Sequence, residues 1–416
     1  MFVLLFFLYG YASVAGLILY TLLMGPTDFH KNGLIGKFYI FLVSVPKRLC
    51  TCCCGSDFLK RAEKYFLHSR NPILQLVYLS LLSINVVLYL FTVFKAIPNL
   101  YVPSYHRYTG LVALVLTYFS FLKASFSDPG FINKNNVKQF EKSFPYDEVM
   151  YISERKCTTC DIIRPARSKH CPLSGKCVAK FDHYCGWLNN DVGELNYRWF
   201  HLFLISNFLL VVYAVYIYVM TLWSVVDEEN LWNVSFMTSK GERVNASLAI
   251  ILQYMLSRYI VVVAQLLFIA ACGLMIFGFW GYHFYLVCTN TTTNETFKKK
   301  DLEQLWDIVT KYVETKKKKS NIDIQKLYDD LYKEEEAANQ KKNEHHDEEH
   351  KKNEEKKKQV RKEWKMKLLE KMCEMAQQNK KLNLNLYNRG IWNNIKEVVF
   401  PPALNNKLRF FGKSNK

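Results

Sequence analysis

The feature that most restricts what this chain can fold into is a series of long apolar runs almost free of charge. Met1 to Gly25 contains no charged residue, and neither do Ile73 to Phe94, Tyr108 to Leu122 or Phe200 to Leu222. The stretch from Leu248 to Val287 carries one, Arg258. About 20 apolar residues cross a bilayer as a helix, and in lipid only a helix or a closed barrel satisfies the backbone. Leu248 to Val287 is too long for one span and too short for two with a comfortable loop. The last span is therefore expected to begin near Ile260, with the preceding turns leaving the membrane or lying on its surface. Met1 to Gly25 lacks the basic n-region of a cleaved signal and reads as a retained span. The fold class expected is an all-α polytopic membrane protein of about five transmembrane helices.

Composition has to be read by segment. Half of the 416 residues are apolar, yet the mean hydropathy is only −0.06, because the apolar runs are averaged with a very polar tail. The net charge of +18 points to no nucleic-acid partner, since no nucleic-acid module is present. Beside membrane spans, Lys and Arg report which side is cytosolic and attract anionic lipid. Segment 26–72 holds Lys31, Lys37, Lys47, Arg48, Lys60, Arg61, Lys64 and Arg70 against three acids, and segments 131–199 and 288–416 are also rich in Lys and Arg. The loop with Asp227, Glu228, Glu229 and Glu242 is acidic by comparison, and it contains the sequons at Asn233 and Asn245. The expected topology has five spans with a lumenal N-terminus, the three basic segments in the cytosol and the acidic loop in the lumen.

The chain then divides into spans 1 to 3 with the cytosolic loop 26–72 (residues 1–130), a cytosolic cysteine-rich module (131–199), spans 4 and 5 with the lumenal loop (200–287), and a cytosolic tail (288–416). From Phe297 to about Lys380 the tail is dense in Lys, Glu, Asn and Gln, the pattern of a charged solvated helix or a disordered insert. His345, His346 and His350 lie in that run.

The module carries the chemistry. Cys157 and Cys160 form a C-x2-C pair, and His170, Cys171 and Cys177 follow. Two thiolates on a knuckle hold one face of a tetrahedral zinc, and a later His and Cys close it. Ligands at that spacing favour a reducing compartment over a disulfide framework. With Cys157, Cys160, His170 and Cys177 as ligands, the site is closed by protein and structural. Downstream stands Asp182-His183-Tyr184-Cys185. An imidazole that accepts the thiol proton makes Cys185 a working nucleophile, and a carboxylate on the other ring nitrogen fixes the tautomer.

These residues resemble the DHHC-type protein S-acyltransferases, or palmitoyltransferases, in a DHYC version. The resemblance is close from Cys157 to Phe200 and is carried by Cys157, Cys160, Arg164, Pro165, Arg167, His170, Cys171, Cys177, Val178, Lys180, Asp182, His183, Cys185, Trp187, Asn190, Val192, Gly193, Asn196 and Phe200. Asp128-Pro129-Gly130 looks like the family's DPG motif. Thr292-Thr293-Asn294-Glu295 matches its T-T-x-E, and Asn385 to Asn394 looks like its C-terminal element. The extra N-terminal span is similar to a subgroup often placed in the endoplasmic reticulum, so a multi-pass protein of that membrane or the Golgi, its active site facing the cytosol, is implied.

The resemblance implies that Cys185 attacks the thioester of palmitoyl-CoA or another fatty acyl-CoA, with His183 as base and Asp182 as its orienter. The acyl group would then pass to cytosolic cysteines of membrane-associated proteins. Arg164, Arg167, Lys169 and Lys180 are candidates for the CoA phosphates, beside the blander reading of a generally basic, membrane-facing loop. Thr292, Thr293 and Glu295 are expected to tie the tail to the module, and Tyr387 and Asn394 to pack.

The family usually has a second zinc site. Here it would need Cys171, Ser174, Tyr184 and Asp191, so one zinc is expected, with hydrogen bonds and packing replacing the other. Gly186, where the family often has Pro, is expected to add backbone freedom. Cys50, Cys52, Cys53 and Cys54 read as a juxtamembrane acylation cluster or as surface thiols. The competing functions are a non-catalytic zinc-stapled scaffold and, further off, a channel or carrier, for which the spans offer few intramembrane charges.

Overall fold

The computed structural model describes residues 33–35, 37, 38, 40, 61, 65, 69–237, 241–317, 323–332, 348–378 and 380–404. The expected first span, Met1 to Gly25, and the cysteines at 50, 52, 53 and 54 lie outside the described residues, as do His345, His346 and the side chain of His350. Among the described residues, four helices are long and apolar enough to cross a membrane: Ile73–Ala96, His106–Phe126, Tyr197–Glu228 and Ile260–Cys288. They stand where the apolar runs put four of the five expected spans, and the last begins at Ile260.

In chain order, α1 (Ile73–Phe91) runs into a short 3-10 turn and α2 (His106–Phe126) follows. The module then carries β1 (Phe131–Ile132), α3 (Val137–Glu141), β2 (Lys156–Cys157), β3 (Ile162–Ile163), β4 (Lys169–Cys171), β5 (Lys176–Val178), β6 (His183–Cys185) and β7 (Asn190–Val192). Next come α4 (Tyr197–Glu228), the β8–β9 hairpin (Ser235–Met237 and Arg243–Asn245), α5 (Leu248–Arg258) and α6 (Ile260–Cys288). The tail forms α7 (Thr293–Lys317), α8 (324–332), α9 (Glu348–Gln377) and α10 (Ile391–Val399).

The chain falls into two compact units. One includes residues 222–264. There Val226, Leu231, Ile251 and Met255 form a small core, and the Tyr254 and Tyr259 hydroxyls both donate to Glu229. Ser247 caps the start of α5, its side chain accepting from Ile250 N–H, and a non-helical Tyr259 separates α5 from α6.

The other unit holds most of the four spans, the module and the tail. Lipid-facing side chains such as Leu111 and Leu274 stay exposed, as a bilayer solvent requires. The helices are joined by polar contacts inside the bundle. Tyr78 OH donates to Asn207 Oδ1 at 2.9 Å, the Ser120 and Ser206 hydroxyls meet at 2.6 Å, and Gln265 Nε2 donates to Asn85 O at 2.8 Å.

The module is not helical. Its strands of two or three residues pair antiparallel as β2–β3, β1–β5–β4 and β6–β7, too short to hold together without packing or a metal. Asp128 starts the module by accepting from the N–H groups of Gly130 and Phe131. A Cβ on Gly193 would lie 2.6 Å from Pro129 O and 2.8 Å from Ala179 O, so only glycine lets the end of β7 lie on the Asp128 turn. The other glycine of interest departs from expectation. A Cβ on Gly186 would lie 2.7 Å from Leu74 Cδ1, the far end of a flexible side chain, so α1 packs closely against the residue after Cys185.

The tail also departs from expectation. Leu368, Leu369, Met372 and Cys373 of α9 pack with Leu302, Val309 and Val313 of α7 and with Leu327 and Tyr328 of α8, all buried in one core. The apolar positions are sparse in the sequence, but they recur on one stripe of each helix, which is enough to build an ordered helical arm from the part of the insert that is described.

Candidate active site and metal centre

The β2–β3 and β4–β5 hairpins bring Cys157, Cys160, His170 and Cys177 together, with all four ligand atoms within 4.8 Å of one another. The three sulfurs lie 3.7, 3.2 and 3.9 Å from His170 Nδ1. Zinc bonds of about 2.3 Å to sulfur and about 2.0 Å to nitrogen give a tetrahedral edge of roughly 3.5 Å, so the donor set fits zinc with no open position. Burial, and then the neighbouring Cys157 and Cys160 thiols, push the Cys177 thiol well up from its ordinary value; a cation reverses that penalty.

The second cluster does not fit. Cys171 and Asp191 are buried, and burial followed by the Asp191 carboxylate pushes the Cys171 thiol up. Neither Asp191 oxygen receives an N–H or O–H, nor does the Ser174 hydroxyl find a partner. Tyr184 stands opposite Asp191 across β6–β7, but its hydroxyl donates to Asn189 Oδ1 at 2.8 Å. One thiol and one carboxylate do not close a tetrahedron.

The β6–β7 hairpin positions the reactive group. His183 and Cys185 are two residues apart on β6, hence on the same face. His183 Nδ1 lies 2.6 Å from Asp182 Oδ2, and Cys185 is near enough to act on the ring electrostatically. Burial alone would lower the His183 pKa, but Asp182 and then Cys185 override it and push it up to about 10. Burial would likewise raise Asp182, yet His183 and the Thr293 N–H hold it below the ordinary carboxylate range. Thr293 donates its N–H to Asp182 Oδ1 at 2.6 Å and its hydroxyl to Oδ2 at 3.1 Å. Cys185 is buried in an apolar cluster with Phe121, Leu188, Val192, Phe200 and Val287 from three spans and the hairpin, while the His183 side chain is 23% exposed, which leaves the ring reachable.

Sequence reasoning did not find His283. It is 2% exposed on α6, its Nδ1 lies 3.9 Å from Asp182 Oδ2 and 3.4 Å from Tyr197 OH, and its ring is 5.5 Å from that of His183. The signal was available, because an ionisable residue inside an apolar span is a functional hint.

The basic residues proposed for CoA phosphates are placed differently from one another. Arg167 is fully buried; its Nε and Nη2 donate to the two Glu295 oxygens at 2.7 Å each, and its Nη1 donates to Asn290 Oδ1 at 2.9 Å. Lys180 is also buried and donates to Glu397 Oε1 at 2.7 Å and Asn290 Oδ1 at 3.0 Å. Tyr151 OH adds a bond to Glu295 Oε1. Arg167 and Lys180 thus face internal carboxylates and not an outside phosphate, a correction that only the fold supplies, since Glu295 and Glu397 lie more than a hundred residues away. Lys169 donates to Asn294 Oδ1 at 2.9 Å, and Arg164 lines an open pocket. Thr292, Thr293 and Glu295 do tie the tail to the module, and Tyr387 packs on Arg167, whose guanidinium is 4.4 Å from its ring centre.

Four apolar helices, a Cys/His cluster that could hold a metal ion, and Asp182, His183 and Cys185 on one short hairpin describe a polytopic membrane protein with a cysteine-rich module. The family model for DHHC palmitoyltransferase matches residues 150–300. A Yarrowia lipolytica protein named palmitoyltransferase SWF1 is 33% identical over 210 residues, 48% of this chain and 50% of the relative. Schizosaccharomyces pombe palmitoyltransferase swf1 is 29% identical over 72% of this chain and 82% of the relative, and Bos taurus palmitoyltransferase ZDHHC4 is 26% identical over 71% and 84%. The match therefore spans half the length of the first relative and more than four fifths of the other two. These similarities to DHHC palmitoyltransferases support protein S-palmitoyltransferase function.

Proposed function

We propose that this chain is a protein-cysteine S-palmitoyltransferase that works through an acyl-Cys185 intermediate, with one structural zinc on Cys157, Cys160, His170 and Cys177. The observation that carries the reading is the Asp182–His183 contact of 2.6 Å with Cys185 two residues along the same strand. The zinc, when bound, holds the hairpins of the module in register; the chemistry belongs to side chains.

His183, its pKa raised to about 10 by Asp182 and Cys185, holds the proton that leaves Cys185. Cys185 Sγ attacks the thioester carbonyl of a fatty acyl-CoA, the carbon–sulfur bond to CoA breaks, and His183 returns the proton to the departing CoA thiolate. In the second step His183 accepts the proton of a substrate cysteine, whose sulfur attacks the acyl-Cys185 carbonyl and restores the enzyme thiol. Asp182, fixed by Thr293, keeps the imidazole in the working tautomer and stabilises its charged form.

The surroundings of Cys185 suit a lipid donor. Phe121, Phe200 and Val287 offer an apolar place for an acyl chain, and exposed Trp187 and Trp392 are side chains suited to the membrane interface. The excess of Lys and Arg in segments 131–199 and 288–416 supports a site on the cytosolic side. Substrates are then membrane-associated proteins with cytosolic cysteines, and the membrane is that of the endoplasmic reticulum or Golgi.

Transfer is tested by loading purified enzyme with labelled palmitoyl-CoA, removing excess donor, and chasing with a lipid-anchored cysteine peptide. Label is expected to move from enzyme to peptide. A zinc-stapled scaffold without catalytic function would show no label on either.

A further inference from the structure

The segment between α4 and α6 takes no part in acyl transfer, yet it carries two N-x-S tripeptides, Asn233-Val234-Ser235 and Asn245-Ala246-Ser247. Such a tripeptide is an acceptor for N-linked oligosaccharide in a lumenal surface loop, and sequence alone does not separate the two. Their settings in the fold do. In the β8–β9 hairpin Ser235 pairs with Asn245, Phe236 with Val244 and Met237 with Arg243. Side chains along a strand alternate between its two faces. Phe236 and Ala246 turn inward and pack on the core of Val226, Leu231, Ile251 and Met255. Asn245 therefore lies on the outer face, where it is exposed. Ser247 has extended backbone, with φ −139° and ψ 160°, and is exposed as well, so the amide and the hydroxyl of one tripeptide face outward together. Among the described residues the Asn245 amide makes no hydrogen bond, and the Ser247 hydroxyl accepts from Ile250 N–H while keeping its own hydrogen to donate.

Asn233 differs on each count. It sits in the turn that closes α4, its N–H donates to Asn230 O at 3.0 Å, and its Nδ2 donates to Asn230 Oδ1 at 2.7 Å. It also follows closely on the span that ends at Glu228, whereas Asn245 stands near the middle of the segment between that span and the one that begins at Ile260. A transferase anchored in the same membrane holds its reacting groups away from the bilayer. An extended chain gains at most about 3.3–3.6 Å per residue, so the middle of the loop reaches further from the membrane than its ends.

We propose that Asn245, and not Asn233, carries an N-linked oligosaccharide. In the transfer, Asn245 Nδ2 gives up one hydrogen and bonds to the anomeric carbon of an oligosaccharide held on a lipid diphosphate. The carbon–oxygen bond to the diphosphate breaks, the lipid diphosphate leaves with the electron pair, and the amide proton passes to a base of the transferase. The glycan then stands on the outer face of the hairpin, opposite the face that packs on Val226, Leu231, Ile251 and Met255. The inference rests on the topology proposed for this chain, in which the loop is lumenal.

The test expresses the full chain with a C-terminal epitope tag in cells that carry out N-glycosylation, and compares gel mobility before and after peptide N-glycosidase. Wild type and Asn233→Gln are expected to shift by the mass of one glycan, and Asn245→Gln is expected not to shift. Ser247→Thr, which keeps the hydroxyl, is expected to retain the shift. Protease added to sealed microsomes reads the topology separately, because the tag is cut only if the tail lies outside. A cut tag with no Asn245-dependent shift would overturn the glycan and leave the topology standing, whereas a protected tag with no shift would overturn both. A shift lost in Asn233→Gln and kept in Asn245→Gln would also overturn the proposal.

Discussion

His183 is asked by burial to give up its proton and by its two neighbours to keep it. Asp182 and Cys185 win, and the imidazole holds its proton up to about pH 10. Replacing Asp182 by Asn removes the strongest of those opposing influences and the tautomer lock together. Single-turnover acylation of Asp182→Asn is expected to fall on the order of 100-fold or more, with its pH profile shifted to lower pH. Wild-type rates in that variant would show that the contact is not used. There is also a linkage: because the folded pKa lies above the ordinary value of 6.5, His183 contributes stability that is fully present below about pH 6.5. That contribution is lost as pH rises toward 10. Asp182, His183 and Cys185 were legible because they are contiguous, so one short hairpin sets their geometry. The partners of Arg167 and Lys180 were not, because sequence shows that a residue is charged without showing which way it points.

At the scale of elements, the module is a set of hairpins too short to stand alone, joined at a Cys/His cluster that could hold a metal ion and by buried ion pairs of Arg167 and Lys180 with Glu295 and Glu397. Elemental analysis of purified protein is expected to return about one zinc per chain, and a value of two would show that Cys171 and Asp191 ligate after all. The other fastening is Glu295 at the start of α7, which binds Arg167 with both oxygens and sits two residues from the Thr293 that holds Asp182. Glu295→Ala leaves a fully buried guanidinium without its main counter-charge, a loss of about 3–5 kcal/mol, visible as a lower melting temperature. Leu369, completely buried in the tail core, is expected to cost about 2–5 kcal/mol when replaced by Ala. A change near zero by chemical denaturation would mean that α9 is not docked in solution. The grouping of Cys157, Cys160, His170 and Cys177 could be read from spacing alone. The tail core could not, since its apolar residues are few per turn and charged neighbours dominate any average.

Taken as a whole, the molecule is an amphiphile whose reactive thiol lies at the foot of its membrane helices. The apolar runs gave four of the spans to within a few residues, because lipid leaves the backbone little choice. What they did not give was His283 inside the last span, which reaches the Asp182 that the loop and the tail also hold. The bundle, the module and the tail therefore meet at one carboxylate, and the central claim is that this assembly makes Cys185 the acyl carrier. The most direct measurement is incubation of purified wild type and Cys185→Ser with labelled palmitoyl-CoA, followed by hydroxylamine. The account predicts a label on wild type that hydroxylamine removes and no such label on Cys185→Ser. Equal hydroxylamine-sensitive labelling of both, or none on wild type, would contradict it.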